Sequence, residues 1–298
     1  MKEFLEKIIP IILIFFLGYF LKRIRLFKKE TGDLLLKLVF YVTLPALIFL
    51  SISNVELIFE FIYLPFIAVA VIFIVYFIAL FIGKRFKLPP ATLGTFLIGS
   101  MIMNTGFVLP FIIAAFGREG LALYTFFDLG NALLVLTFVY YIAVKYGGSK
   151  SSKVQFRKFL LLPPIWGLFL GIIFNLGKIE LPQIAGNFLQ HLGTPTIPLI
   201  MLSLGIYFSP KMKNIGKIIT VLFIRMGFGL LLGFFFVSIL NLQGLLRTIV
   251  IICSAAPVGY NTLVFSSMEN LDKEFAASLV SISLLIGIFY IPILIFLL

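Results

Sequence analysis

Few residues in this chain carry groups that could do chemistry, and those few are clustered. Asp128 and Asn131 stand three apart in FFDLGNALL, a spacing that sets both on one face of a helix. Two other stretches, SMIMNTGFVLPF around Asn104 and CSAAPVGYNTLVF around Asn261, each combine Gly, Pro and Asn within otherwise apolar sequence. Proline removes a backbone donor and clashes with the preceding turn, and glycine permits the dihedrals of an unwound segment. A charged aspartate at the centre of a membrane helix costs roughly 2.5 to 3.5 kcal/mol, so Asp128 reads as a group that binds or carries a proton. Two basic residues lie within apolar runs, Lys37 near the start of one and Arg225 deeper in another. Arg225 could neutralise Asp128, attract an anion, or snorkel to the membrane surface.

Other chemistry is poorly provided for. One cysteine, Cys253, allows no intrachain disulfide, and one histidine, His191, leaves no His/Cys metal set. Paired aspartates, an HExxH pattern and a recognisable Ser/His pair are all missing, so an intramembrane enzyme is a minor reading and no cofactor or metal is expected.

The elements that must hold these residues are membrane helices. Of 298 residues, 61% are hydrophobic and 12% charged, against roughly 25% charged in a soluble domain. About 20 apolar residues are needed per crossing. On that basis spans fall near 8–21, 34–52, 62–82, 92–116, 121–144, 159–176, 187–208, 218–240, 248–268 and 275–297. The first run follows a charge-balanced MKEFLEK and precedes its basic cluster, so it reads as a helix and not as a signal peptide. The net charge of +12 comes from short basic clusters between spans, which are topology signals and not a nucleic-acid surface. Most of the 24 Lys and Arg lie after odd-numbered spans, which puts those loops in the cytoplasm and both termini outside. Lys37 is expected to snorkel, and His191 to be interfacial.

An offset of 153 residues pairs Pro10 with Pro163, Gly18 with Gly171, Thr43 with Thr196, Pro45 with Pro198 and Gly106 with Gly259. Each half holds five spans, an odd number, so the halves insert with opposite orientation, which is a transporter architecture. The expected fold is all-α and integral to the membrane, with ten helices in two inverted repeats (1–145 and 159–298) joined by a cytoplasmic linker (146–158). Helices 4 and 9 should be broken and should cross, because non-helical backbone at membrane depth is tolerated only where buried or lining a cavity. Half-helix N-termini converging there would favour a carboxylate. The substrate-binding candidates are Asn104, Thr105, Gly106 and Pro110 in the first break and Pro257, Gly259, Tyr260 and Asn261 in the second. Asp128, Asn131 and Arg225 form the coupling or polar set.

At NTGFVLPF, DLGN and APVGYNTLVF, with TLPALIF and TIPLIML in the two halves, the chain resembles the auxin efflux carrier family, which is similar in plan to bile-acid sodium symporters and sodium/proton antiporters. The likeness runs over essentially the whole chain. It departs from plant members in its short central segment, Lys145 to Lys158. The resemblance implies a scaffold of spans 1, 2, 6 and 7, a transport domain of spans 3–5 and 8–10, elevator-type movement and a homodimer formed through the scaffold. It maps the family's crossover site onto Asn104, Pro110, Pro257 and Asn261. The expected function is secondary transport of a small organic anion, auxin-like or a dicarboxylate, across the plasma membrane, coupled to H+ or driven by potential. A sodium-coupled symporter is the alternative, and a channel is a minor one.

Overall fold

The computed structural model describes residues 2–147, 162–209 and 215–298. The expected linker 146–158, with Lys150, Lys153, Arg157 and Lys158, lies outside the described residues beyond Gly147, as does the expected start of the sixth span before Leu162. The architecture is all helical. Its helices are α1 Lys2–Arg23, α2 Lys29–Leu38, α3 Leu44–Asn54, α4 Tyr63–Arg85, α5 Pro90–Met101, α6 Thr105–Leu134, α7 Tyr140–Gly147, α8 Pro163–Leu176, α9 Gln183–Gly193, α10 Thr196–Tyr207, α11 Ile215–Leu222, α12 Gly229–Ile239, α13 Gly244–Ser254, α14 Asn261–Met268 and α15 Lys273–Leu297. Among the described residues, five continuous helical stretches are long and apolar enough to cross a bilayer: Lys29–Asn54, Phe59–Arg85, Thr105–Gly147, Ile215–Ile239 and Lys273–Leu297. The chain is a multi-pass membrane protein.

Several expected spans are subdivided. The second runs from Lys29 to Asn54, but widens into a π turn at Val39–Thr43 just before Pro45. Proline cannot donate to the carbonyl four residues back, and the wider turn accommodates that loss. The seventh is two helices, α9 and α10, with Pro195 as the N-cap of the second. The fourth and fifth are joined at Gly117, whose φ of 58° and ψ of −141° turn the backbone sharply inside α6. Further π turns occupy Val135–Val139 and Phe223–Phe228.

The chain divides into two compact units. Unit 1 comprises residues 1–61, 109–126 and 160–208. In it α1 packs on α10 and α3 on α8. The approach is backbone to backbone: a Cβ on Gly18 would lie 2.2 Å from the Leu202 carbonyl oxygen, so only glycine fits. Lys22 Nζ donates to the Phe208 carbonyl at the end of α10 (2.7 Å), and Asn175 Nδ2 donates to the Val55 carbonyl at the end of α3 (2.6 Å). Thr196 donates to Thr43 at 2.9 Å, both buried. Unit 2 comprises residues 62–108, 127–159 and 209–298. It holds α4, α5, α7 and α11–α15, and its core is built from residues such as Ile72, Phe96, Phe107, Ile249 and Ile288.

One number recurs through these elements. Residues 153 apart include the two hydrogen-bonded threonines, and also Lys22 with Asn175 and Val55 with Phe208, the donors and acceptors of the two helix-end bonds. Two pairs of left-handed residues follow the same shift: Arg25 (φ 63°) with Lys178 (φ 49°), and Gly117 (φ 58°) with Asn270 (φ 58°).

Candidate functional site

The site grows from two helix ends that stop inside unit 2. α5 ends at Met101, and Ile102 is extended at φ −74°, ψ 115°. α13 ends at Ser254, three residues before Pro257, which has no N–H to continue the ladder. The two unwound stretches satisfy each other. Asn104 N donates to Pro257 O (2.8 Å), Gly259 N donates to Ile102 O (2.9 Å), and Met103 and Val258 form an isolated antiparallel bridge. A Cβ on Gly259 would lie 2.2 Å from Ile102 Cγ2, so this approach requires glycine.

Asn104 completes the join. It is the N-cap of α6: its Oδ1 accepts from Phe107 N (3.1 Å), while its Nδ2 donates to Val258 O (3.2 Å). The sequence allowed this amide either freed backbone groups or a ligand, and here it serves backbone on both sides. Thr105, first residue of α6, donates from Oγ1 to Asp128 Oδ1 at 2.7 Å. Asn131 Nδ2 donates to the same Asp128 oxygen (2.9 Å) and to Thr105 Oγ1 (3.2 Å). Asp128 is therefore tied to the N-terminal end of α6 through Oδ1, and none of these bonds uses Oδ2. Asn131 Oδ1 is buried, with no hydrogen-bond partner among the described residues.

The other candidates differ in their surroundings. Gly106 has room beside it, since an added Cβ would meet only Asn104 Oδ1, at 3.9 Å. Pro110 is buried inside α6, and its missing N–H leaves the Gly106 carbonyl without that helical donor. Pro257 and Gly259 are buried, Tyr260 is half-buried, and Asn261 is exposed at the start of α14. Arg225 does not snorkel, being 0% exposed. Its hydrogen bonds go to the backbone carbonyls of Ser100, Met101 and Ser254, not to Asp128. Lys37 and His191 are exposed.

The family described as Membrane transport protein matches residues 3–156 and 148–295. This chain belongs to that family. It is the auxin efflux carrier family whose likeness was read from NTGFVLPF, DLGN and APVGYNTLVF. An uncharacterized transporter of Methanocaldococcus jannaschii is 31% identical over 290 residues, 94% of each chain. Another, of Methanothermobacter thermautotrophicus, is 25% identical over 292 residues, 96% of each. As a member of this family the chain is a membrane transporter and not an enzyme.

One polar group of this transporter escaped the sequence reading. Glu269, the C-cap of α14, is only 4% exposed. Its Oε1 accepts from Tyr140 OH at 2.7 Å, and its Oε2 has no hydrogen-bond partner among the described residues. In sequence it is one of several charged residues in a loop, beside Asp272, Lys273 and Glu274, and nothing local marks it as buried. Its neighbour Asp272 caps α15, accepting from Phe275 N (3.0 Å) and from Thr92 Oγ1 (3.0 Å).

Proposed function

We propose that this chain is a secondary transporter of a small organic anion, working by alternating access in the plasma membrane, with Asp128 as the group that carries the coupling proton. The observation that carries this reading is the Thr105–Asp128–Asn131 cluster at the N-terminal end of α6, beside a break paired with a second break. Each helix N-terminus presents a charge of about +0.5, so the two that begin beyond the breaks, α6 and α14, together match about one carboxylate. An ionised Asp128 already supplies that charge at α6. A substrate anion is then held well only when Asp128 is neutralised, and a proton arriving with the substrate does this. Sodium is the alternative coupling ion, and Asn131 Oδ1, which has no partner among the described residues, gives it an oxygen to bind.

The same proposal covers ten spans in two inverted repeats whose broken helices, α5–α6 and α13–α14, cross. Its support is the shared 153-residue offset of helix-end bonds and left-handed residues. Residues near a pseudo-twofold axis meet their own equivalents, and each unit has such a bonded pair 153 residues apart: Thr43 with Thr196 in unit 1, and Asn104 with Pro257 in unit 2. Unit 1 is read as the scaffold, through which the protein forms a homodimer, and unit 2 as the moving element of an elevator. Residues 109–126 fall in unit 1, although the expected transport domain included them. The termini are taken as extracytoplasmic.

The test is charge movement and radiolabel uptake in proteoliposomes for carboxylates from malonate to indole-acetate, with and without sodium, for wild type and Asp128→Asn. Saturable, sodium-independent uptake that rises as pH falls, and loses that dependence in Asp128→Asn, is expected. An unchanged pH dependence in the variant rules out the role given to Asp128, and a strict sodium requirement favours the symporter.

A further inference from the structure

Among the described residues, Arg225 is one of the largest side chains that are wholly buried, and no carboxylate is among its hydrogen-bond partners there. Its Nη1 donates to the carbonyls of Ser100 and Met101, each at 3.3 Å, and its Nη2 donates to the carbonyl of Ser254. Met101 is the last residue of α5 and Ser254 the last of α13, and the two are 153 residues apart. One guanidinium thus reaches the equivalent C-terminal ends of both broken helices. The magnitudes fit: each helix C-terminus carries a charge of about −0.5, so two such ends balance one cation. The backbone is arranged to admit it. Arg225 stands in the π turn Phe223–Phe228, and one turn on, a Cβ at Gly229 would lie 2.5 Å from its Nη2 and 2.1 Å from the Ser254 oxygen.

We propose that Arg225 is a positioning residue that clamps the C-terminal ends of α5 and α13 to one buried cation. The N-terminal ends beyond the breaks are thereby left as the backbone charge offered to an anion, a consequence that rests on the transport reading above. The Met103–Val258 bridge joins the unwound stretches, and the arginine joins the helix ends that precede them. The breaks therefore keep their geometry while unit 2 acts as one body. A lysine is an incomplete substitute, because its point charge lacks the planar fork that spans three carbonyls.

The molecule contains its own probe, because the sole cysteine, Cys253, is buried one residue before Ser254. Its alkylation by N-ethylmaleimide in proteoliposomes reports loosening of this end of α13. Wild type is expected to react slowly, and Arg225→Gln about tenfold faster or more, since hydrogen bonds from a charged donor are lost. Arg225→Lys should fall between them. Gly229→Ala, which keeps the arginine but intrudes on its contact with Ser254, should also react faster than wild type. Gly216→Ala, where an added Cβ meets nothing within 4 Å among the described residues, should match wild type. Wild-type rates in both Arg225→Gln and Gly229→Ala overturn the clamp, and if Arg225→Gln does not fold, wild-type rates in both Gly229→Ala and Arg225→Lys do so. Malonate uptake separates positioning from binding. A lowered Vmax with little change in KM for Arg225→Lys supports the clamp, whereas a raised KM at unchanged Vmax makes the guanidinium an anion ligand and overturns it. Absence of malonate uptake in wild type counts against a malonate carrier alone, and the alkylation rates then decide.

Discussion

Asn104 uses one amide to solve two backbone problems, capping α6 through Oδ1 and tying the second break through Nδ2. Loss of an N-cap costs about 1 kcal/mol, and an unmade bond to a buried carbonyl costs about 1 kcal/mol more. Asn104→Ala should accordingly lower stability by about 2 kcal/mol, read as a lower thermal unfolding midpoint in detergent, and an unchanged midpoint would contradict the cap. Asn104→Asp separates the two duties: the carboxylate can still accept from Phe107 N but cannot donate to Val258 O, so an intermediate midpoint is expected. At this scale the sequence was half legible. The pairing of Asp128 with Asn131 follows from helical spacing, whereas their bonds to Thr105 join residues 23 and 26 apart and no local spacing announces them. The carbonyls that Arg225 meets were not legible, because Ser100 and Ser254 come from helices distant in sequence, and backbone acceptors leave no trace in residue type.

Helix interruption shows which sequence signals carry structural information by themselves. Proline alone did not break helices: Pro10 lies inside α1 and Pro292 inside α15. The breaks at 102–104 and 255–260 occur where glycine and asparagine accompany proline and where a second unwound strand supplies hydrogen-bond partners. The three π turns went unread because a change from four- to five-residue bonding depends on what each helix packs against. The join makes a contrast between two glycines. Gly259→Ala must push Ile102 aside, since its Cβ would lie 2.2 Å from a side-chain carbon, and overpacking of this kind costs about 1 to 3 kcal/mol. Gly106→Ala has space, and in a helix's first turn alanine is favoured over glycine by up to about 1 kcal/mol. Unfolding midpoints should therefore fall for the first and hold or rise for the second. Equal effects would mean that the close approach at Gly259 is not a constraint.

At the scale of the whole molecule, the repeat matters most where it fails. Shifting by 153 residues turns Asp128 into Ser281, Arg225 into Ile72, and Asn104 into Pro257. The two halves share helix ends, end-capping bonds and left-handed corners, yet the acid and the base at the breaks each occur once. In the proposed inverted repeat, a two-sided scaffold holding one acid and one base, each with its own partners, lets both faces of the membrane use a single site. This reading makes a topological prediction that needs no substrate. Lys87 follows α4 at φ 48°, and Asn241 follows α12 at φ 53°, so the two mark nearly equivalent corners of the two halves. If the halves are inverted, these corners face opposite sides of the membrane, and in the proposed topology, which follows the distribution of Lys and Arg, Lys87 is cytoplasmic. In a Cys253→Ala background, a membrane-impermeant thiol reagent applied to intact cells should label Asn241→Cys, and should label Lys87→Cys only after permeabilisation. The reverse pattern would turn the protein over while keeping the inverted repeat. Labelling of both from one side would instead make the repeats parallel, and the two-fold argument for a midplane site would fall with it.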